Sequence, residues 1–189
     1  MSIRTFIAIE LSPSVLSRAR DLIKVLQAAD VKATWVKPQH MHMTLKFLGD
    51  VPDNEIPEVC NLVKQAVSEL PAFELVFRGC GAFPTLANPR TVWIGVDEGA
   101  EELTIVHQAI DIALKKLRFP RETRRFQPHL TLGRIRESGL AVGELSRLIA
   151  EHADFDGDLS VVDEVVTFAS FLDKSGPSHD AMGRAELLG

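Results

Sequence analysis

A protein of mixed strands and helices, folded as two lobes around one shared groove, is what this sequence predicts, on three observations. Strand-like and helix-like stretches alternate along most of its 189 residues. One short pattern, His-x-Thr-Leu, occurs twice, as His42-Met43-Thr44-Leu45 and His129-Leu130-Thr131-Leu132. No stretch rich in Pro, Gly or Ser divides the halves, so they should share a groove within a single domain over residues 1–189.

Residues 4–10 are short, apolar and β-rich, and Ser12 and Pro13 then supply an N-cap and a proline at the first helical position. The helix that follows repeats Val15, Leu16, Ala19, Leu22, Ile23 and Leu26 at the 3.6-residue period that lets one face bury. Residues 31–36 lead to Pro38 and the first motif strand, 40–48, which Gly49-Asp50 closes. A second helix is expected over 54–70, with Ile56, Val59, Cys60, Val63 and Val67 inward. Phe73, Leu75 and Phe77 alternate as a strand does, and 90–96 reads as another strand after a loop over 79–89. A third helix covers 100–117 on Leu103, Val106, Ile110, Ala113, Leu114 and Leu117. The second motif strand spans 128–135, a shorter helix 142–151, and an apolar strand 159–172. The tail, 173–189, reads as a turn plus a short edge strand. This order looks like one unit used twice, a duplication confined to the motif strands and the helices around them.

Apolar residues make up 46% of the chain and charged residues 25%, enough for a full core. No run approaches the roughly 18 apolar residues of a membrane span, and the first residues lack a cationic segment followed by an apolar one, so a cytoplasmic protein without a membrane partner is expected. Cys60 and Cys80, the latter in a Gly-Cys-Gly turn, lack paired spacing and read as free thiols. The net charge of −5 argues against a protein that coats long nucleic acid. Its distribution is uneven: Arg118, Arg121, Arg124, Arg125, Arg134 and Arg136 surround the second motif against only Glu122 and Glu137, and Lys37 and Lys46 flank the first. A basic mouth on an acidic protein suits a small or terminal phosphate, with a solvated arginine-rich loop as the plainer alternative.

Strand side chains alternate faces, so His42 and Thr44 share one face while Met41, Met43, Leu45 and Phe47 take the other. In the second copy His129 and Thr131 share a face opposite Leu130 and Leu132. If the two strands lie side by side, two imidazoles and two hydroxyls converge on one groove. One neutral histidine can then take a proton from an attacking oxygen while the other, protonated, donates to the leaving oxygen, since the unperturbed pKa of about 6.5 suits both roles. The threonines can donate to phosphate oxygens and an arginine can add a fork of donors, so neither a metal nor another cofactor is required. A single His-x-Thr is ordinary sheet surface; the second copy carries the argument. His40 with His42 and His129 would make a three-histidine zinc site, disfavoured because no carboxylate or cysteine accompanies them and the threonines would be idle. His107 falls on a helix and His152 and His179 near helix or loop ends, where solvated or capping roles are expected.

Around these motifs the chain resembles the 2H phosphoesterase superfamily, and within it the bacterial and archaeal RNA 2',3'-cyclic phosphodiesterases, also called 2'-5' RNA ligases. The resemblance is carried by Arg4-Thr5-Phe6-Ile7-Ala8-Ile9, by Trp35-Val36 before Pro38, and by His42-Met43-Thr44-Leu45-Lys46-Phe47-Leu48-Gly49. It continues through Gly81-Ala82-Phe83-Pro84, Pro89-Arg90, Trp93-Ile94-Gly95 and Phe126-Gln127-Pro128-His129-Leu130-Thr131-Leu132-Gly133-Arg134. It implies a bilobal α+β fold of two pseudo-symmetric lobes, with antiparallel sheets lining a central cleft and helices outside. It also implies an enzyme that opens a terminal 2',3'-cyclic phosphate on RNA to a 2'-phosphate without a metal. His42 would donate to the 3' leaving oxygen, His129 would activate water, Thr44 and Thr131 would hold the phosphate, and Arg134 would assist.

The partner implied is RNA with a cyclic phosphate end, tRNA fragments included, because family members can also join tRNA halves through a 2'-5' bond; a monomer is expected. Rival readings are another 2H activity on a cyclic nucleotide or a 2'-5' oligonucleotide, and an RNA-end-binding module without catalysis. Two departures stand out. Strict alternation puts Arg134 opposite His129, so a role for it needs a bulge or a strand end. The family's tail often carries a tyrosine, whereas this chain reads Gly176-Pro177-Ser178-His179 and has no tyrosine. Phe47, Phe83 and Phe126 could stack on a base or belong to the core.

Overall fold

In the computed structural model, which describes residues 1–121, 123, 125–173 and 176–189, the chain runs through thirteen strands and α-helices among the described residues. They are β1 (Ser2–Ile9), α1 (Pro13–Leu26), β2 (Ala33–Trp35), β3 (Met43–Pro52), α2 (Ile56–Val67), β4 (Phe73–Pro84) and β5 (Pro89–Val96), then α3 (Ala100–Leu114), β6 (His129–Ile135), α4 (Leu140–Glu151), β7 (Asp156–Val162), β8 (Glu164–Asp173) and β9 (Gly176–Glu186). Glu122 and Arg124, counted above in the basic loop, and Lys174 and Ser175 of the tail lie outside the described residues.

The strands form two antiparallel sheets, one in the order β3-β1-β8-β9 and the other β2-β6-β5-β4-β7. Helices α2 and α3 pack on the first sheet, α1 and α4 on the second. Each lobe therefore draws on both halves of the sequence, and the first sheet takes strands from both ends of the chain, so the lobes are not the two halves of the sequence. The expected unit used twice is corrected on this point: β1 needs partners on both edges and receives β3 on one side and β8, more than 150 residues later, on the other.

Other boundaries differ for local reasons. Ser12 caps α1 by accepting from the Val15 N–H at 3.3 Å, as its position suggests. Gly49 does not close β3: it adopts a left-handed conformation (φ 74°) inside the ladder, and the strand continues to Pro52. The expected loop over 79–89 is mostly strand. Gly79 (φ 79°) sits at a register shift between Arg78 and Cys80, so β4 runs on to Pro84 and pairs with β5 as a hairpin. Cys80 is then a buried strand residue rather than a turn residue, and burial pushes its thiol pKa up to about 12. The apolar run 159–172 is two strands broken at Asp163, one in each sheet, because unbroken hydrophobicity conceals a change of sheet. The tail forms an edge strand of 11 residues, longer than expected.

Beneath the helices one large cluster of buried apolar side chains takes residues from both sheets, while Phe6, Ala8, Val166 and Phe168 form a smaller cluster on the opposite face of the first sheet. Among the described residues no helix is long and apolar enough to cross a membrane.

Candidate active site

The two motif strands do not lie side by side. β3 is the edge of one sheet and β6 belongs to the other, and they face each other across a cleft of about 510 Å³ lined in part by His42, Thr44, Phe47, His129, Thr131 and Arg134. Convergence comes from two sheets rather than one.

The same device acts in both motifs. Opposite β1, Ile7 pairs with Lys46 and Ala8 with Thr44, leaving Leu45 as an extra residue. Opposite β5, Val92 pairs with Gly133 and Trp93 with Thr131, leaving Leu132 extra. Each motif leucine is thus a β-bulge, which resets the alternation beyond it. In the second motif this brings Arg134 back to the cleft beside Thr131, satisfying the condition alternation imposed. In the first it reverses an expectation: Phe47, assigned to the buried face with Met43 and Leu45, is 69% exposed at the position equivalent to Arg134. Lys46 turns inward instead, buried to 3% exposure, where its Nζ donates to Asp111 Oδ1 at 2.6 Å and to the Pro120 carbonyl at 2.8 Å. Its ammonium is held in that buried pair, while the residue borders the cleft.

His129 donates from Nδ1 to the Gln127 carbonyl at 2.7 Å, and Phe83 meets its ring edge-on at 5.1 Å. A carbonyl can only accept, so the bond fixes the tautomer and leaves Nε2 of the neutral ring with a free lone pair. His42 precedes β3 and stacks on Phe6, with centroids 4.7 Å apart. His179 of β9 meets it edge-on at 5.2 Å and also contacts His40 at 5.7 Å. Burial, then the charge of His179 and to a lesser degree that of His40, push the His42 pKa down to about 4 against an opposing backbone hydrogen bond at His40. His179 is lowered as well, first by burial.

Of the arginines around the second motif, Arg125 and Arg134 reach the cleft, and Arg121 pairs through Nε with Asp111 Oδ2 at 3.1 Å. His152 donates to the Leu148 carbonyl at the end of α4, a capping role. Two expectations for the other histidines are corrected. His179 is drawn against His42 by the long β9, and His107 is buried to 5% exposure with Nδ1 on the Leu45 carbonyl at 2.9 Å. A signal for the second was present in the sequence, since His107 and Asp111 fall on the face of α3 that also carries Leu103, Ile110 and Leu114. Among the described residues no three His, Cys, Asp or Glu side chains are placed to hold a metal ion together.

Residues 12–166 match the model of the 2'-5' RNA ligase superfamily. The chain belongs to this superfamily. The RNA 2',3'-cyclic phosphodiesterase of Methanothermobacter thermautotrophicus is 31% identical over 96% of this chain and 97% of its own, and that of Aquifex aeolicus is 30% identical over 99% and 98%. Among solved structures, a Thermus thermophilus protein superposes with a TM-score of 0.81 at 22% identity, each chain covered to 99%. E. coli LigT complexed with 3'-AMP gives 0.77 at 21% identity, each chain covered to 100%. The fold shared with these solved structures extends over the whole chain.

Proposed function

We propose that this chain is an RNA 2',3'-cyclic phosphodiesterase that hydrolyses a terminal cyclic phosphate to a 2'-phosphomonoester. The observation that carries this reading is the presentation of His42, Thr44, His129 and Thr131 to one cleft by two equivalent bulged strands. Relatives that carry the RNA 2',3'-cyclic phosphodiesterase name over nearly their full length support it.

In the proposed reaction the Nε2 lone pair of His129 takes a proton from water, whose oxygen attacks phosphorus. The bond from phosphorus to O3' breaks in line, and His42 gives its proton to that oxygen. Thr44, Thr131 and Arg134 donate to the non-bridging oxygens as charge builds. His42, with its pKa near 4, is neutral in the free enzyme at neutral pH. The anionic phosphodiester supplies the opposite charge that favours its protonation, so substrate binding arms the acid.

The test is incubation of the purified protein with an oligonucleotide ending in 2',3'-cyclic phosphate, with chelator present, and identification of the monoester. A 2'-monoester formed equally with and without chelator supports the proposal. A 3'-monoester, or activity abolished by EDTA and restored by zinc, overturns it.

A further inference from the structure

The bulged leucines differ in what receives their carbonyls. That of Leu132 accepts from the Val36 backbone N–H at 2.8 Å, a bond that most residues at position 36 could supply. That of Leu45 accepts from Nδ1 of His107 on α3, a side-chain donor brought from 62 residues away. The same imidazole lies flat on Phe126, with centroids 4.2 Å apart and planes 7° from parallel. Phe126 immediately precedes Gln127, whose carbonyl holds His129. His107 therefore touches the bulge of the first motif with its edge and the approach to the second with its face.

One turn further along α3, Asp111 makes a second rung. It accepts from Lys46, next to Leu45 on β3, and from Arg121 in the segment that leads to Phe126. Two buried polar side chains on an otherwise apolar helix face carry a desolvation penalty, and both are matched to hydrogen-bond partners, the Leu45 carbonyl for His107 and Lys46 with Arg121 for Asp111.

We propose that His107 is a positioning residue that sets the two motifs relative to each other. Its hydrogen bond holds the Leu45 bulge, and with it Thr44 and His42, while its stacking on Phe126 fixes where the Gln127 carbonyl directs His129. The part of this inference that concerns turnover rests on the phosphodiesterase reading; the part that concerns phosphate binding does not.

Two substitutions separate the two contacts. His107→Asn keeps an N–H near the Nδ1 position and loses the stack, whereas His107→Phe keeps the stack and leaves the Leu45 carbonyl without its donor. Phe126→Leu removes the stack from the other side at a half-buried position. For each variant kcat and KM on a cyclic-phosphate dinucleotide, Kd for inorganic phosphate and Tm are measured.

His107→Phe is expected to lower kcat on the order of 10–100-fold, as misplacement of reacting groups by about an ångström does, with a much smaller change in KM. His107→Asn, which restores the hydrogen bond but not the stack, should recover part of that loss, and phosphate should bind His107→Asn more tightly than His107→Phe. Wild-type kcat in His107→Phe would overturn the proposal, as would equal losses in the two variants that follow Tm. Should His107→Phe fail to fold, Phe126→Leu decides: lowered kcat at an unchanged Tm supports the proposal, and unchanged kcat overturns it. Should the wild type leave the cyclic phosphate intact, the phosphodiesterase reading fails. The order of phosphate affinities then decides the positioning role, which equal affinities would overturn.

Discussion

A histidine packed on Phe6 and met edge-on by another histidine resists protonation, and the pH behaviour of the cleft follows from that one residue. In the free enzyme the break that His42 sets in the kcat/KM profile should fall near pH 4, while its counterpart in kcat, set in the substrate complex, should lie higher. NMR titration of His42 with and without inorganic phosphate checks this, and a midpoint near 6.5 in both states would contradict it. The same shift acts on stability. Between about pH 6.5 and about pH 4 the unfolded chain binds a proton at this position that the folded one refuses, so the stability His42 contributes is present above pH 6.5 and is lost as pH falls through that window. The full loss is about 3 kcal/mol. Phe47 is the other residue whose role its environment defines. Phe126 lies against His107 and Phe83 against Trp93, while Phe47 keeps an exposed ring at the cleft wall. Phe47→Ala should raise KM for a cyclic-phosphate oligonucleotide roughly tenfold if a base stacks there, with a smaller effect on kcat; steady-state kinetics with an unchanged KM would exclude that contact.

At the scale of single elements the bulges decide what faces the cleft. Gly133 follows the Leu132 bulge, and a Cβ there would lie 2.6 Å from Cε3 of the Trp35 ring on β2. Gly133→Ala should therefore destabilise the protein by roughly 1–3 kcal/mol through overpacking and weaken phosphate binding by displacing Arg134; urea denaturation and phosphate titration measure the two effects. The motif pairs were legible in the sequence because residues two apart share a strand face whatever the partner strand does. Phe47 and Lys46 were not, because an extra residue in a ladder is a property of pairing with β1 and leaves no mark in the local alternation. Arg134 stood between these cases: alternation excluded it, the family resemblance included it, and the bulge reconciles the two. The change of sheet at Asp163 was hidden for a similar reason, since β7 and β8 are each apolar enough to continue the other. His179 became a neighbour of His42 only through the register of β9 on β8, a contact between distant parts of the chain.

For the whole molecule, the interleaving of the chain ties the lobes together. Each sheet contains strands from early and late in the sequence, and the larger apolar cluster takes side chains from both sheets and all four helices. We propose that the lobes unfold as one cooperative unit. Both tryptophans, Trp35 and Trp93, lie in the five-stranded sheet, so their fluorescence reports one lobe while far-ultraviolet circular dichroism reports both. Coincident urea transitions are expected, and separated ones would show lobes that melt apart. The shared core joins the sheets that carry the two motif strands, and the proposed reaction depends on this, since one histidine from each lobe acts on one phosphate. The most direct test is the turnover of a cyclic-phosphate oligonucleotide by wild type, His42→Ala, His129→Ala and the double variant, all in chelator. Each single change should remove on the order of 10²–10⁴-fold of the rate, and the double variant should lose far less than the product of the two because the histidines act as a unit. Near wild-type turnover by His129→Ala beside an inactive His42→Ala would contradict paired histidine catalysis and leave the second motif a structural one.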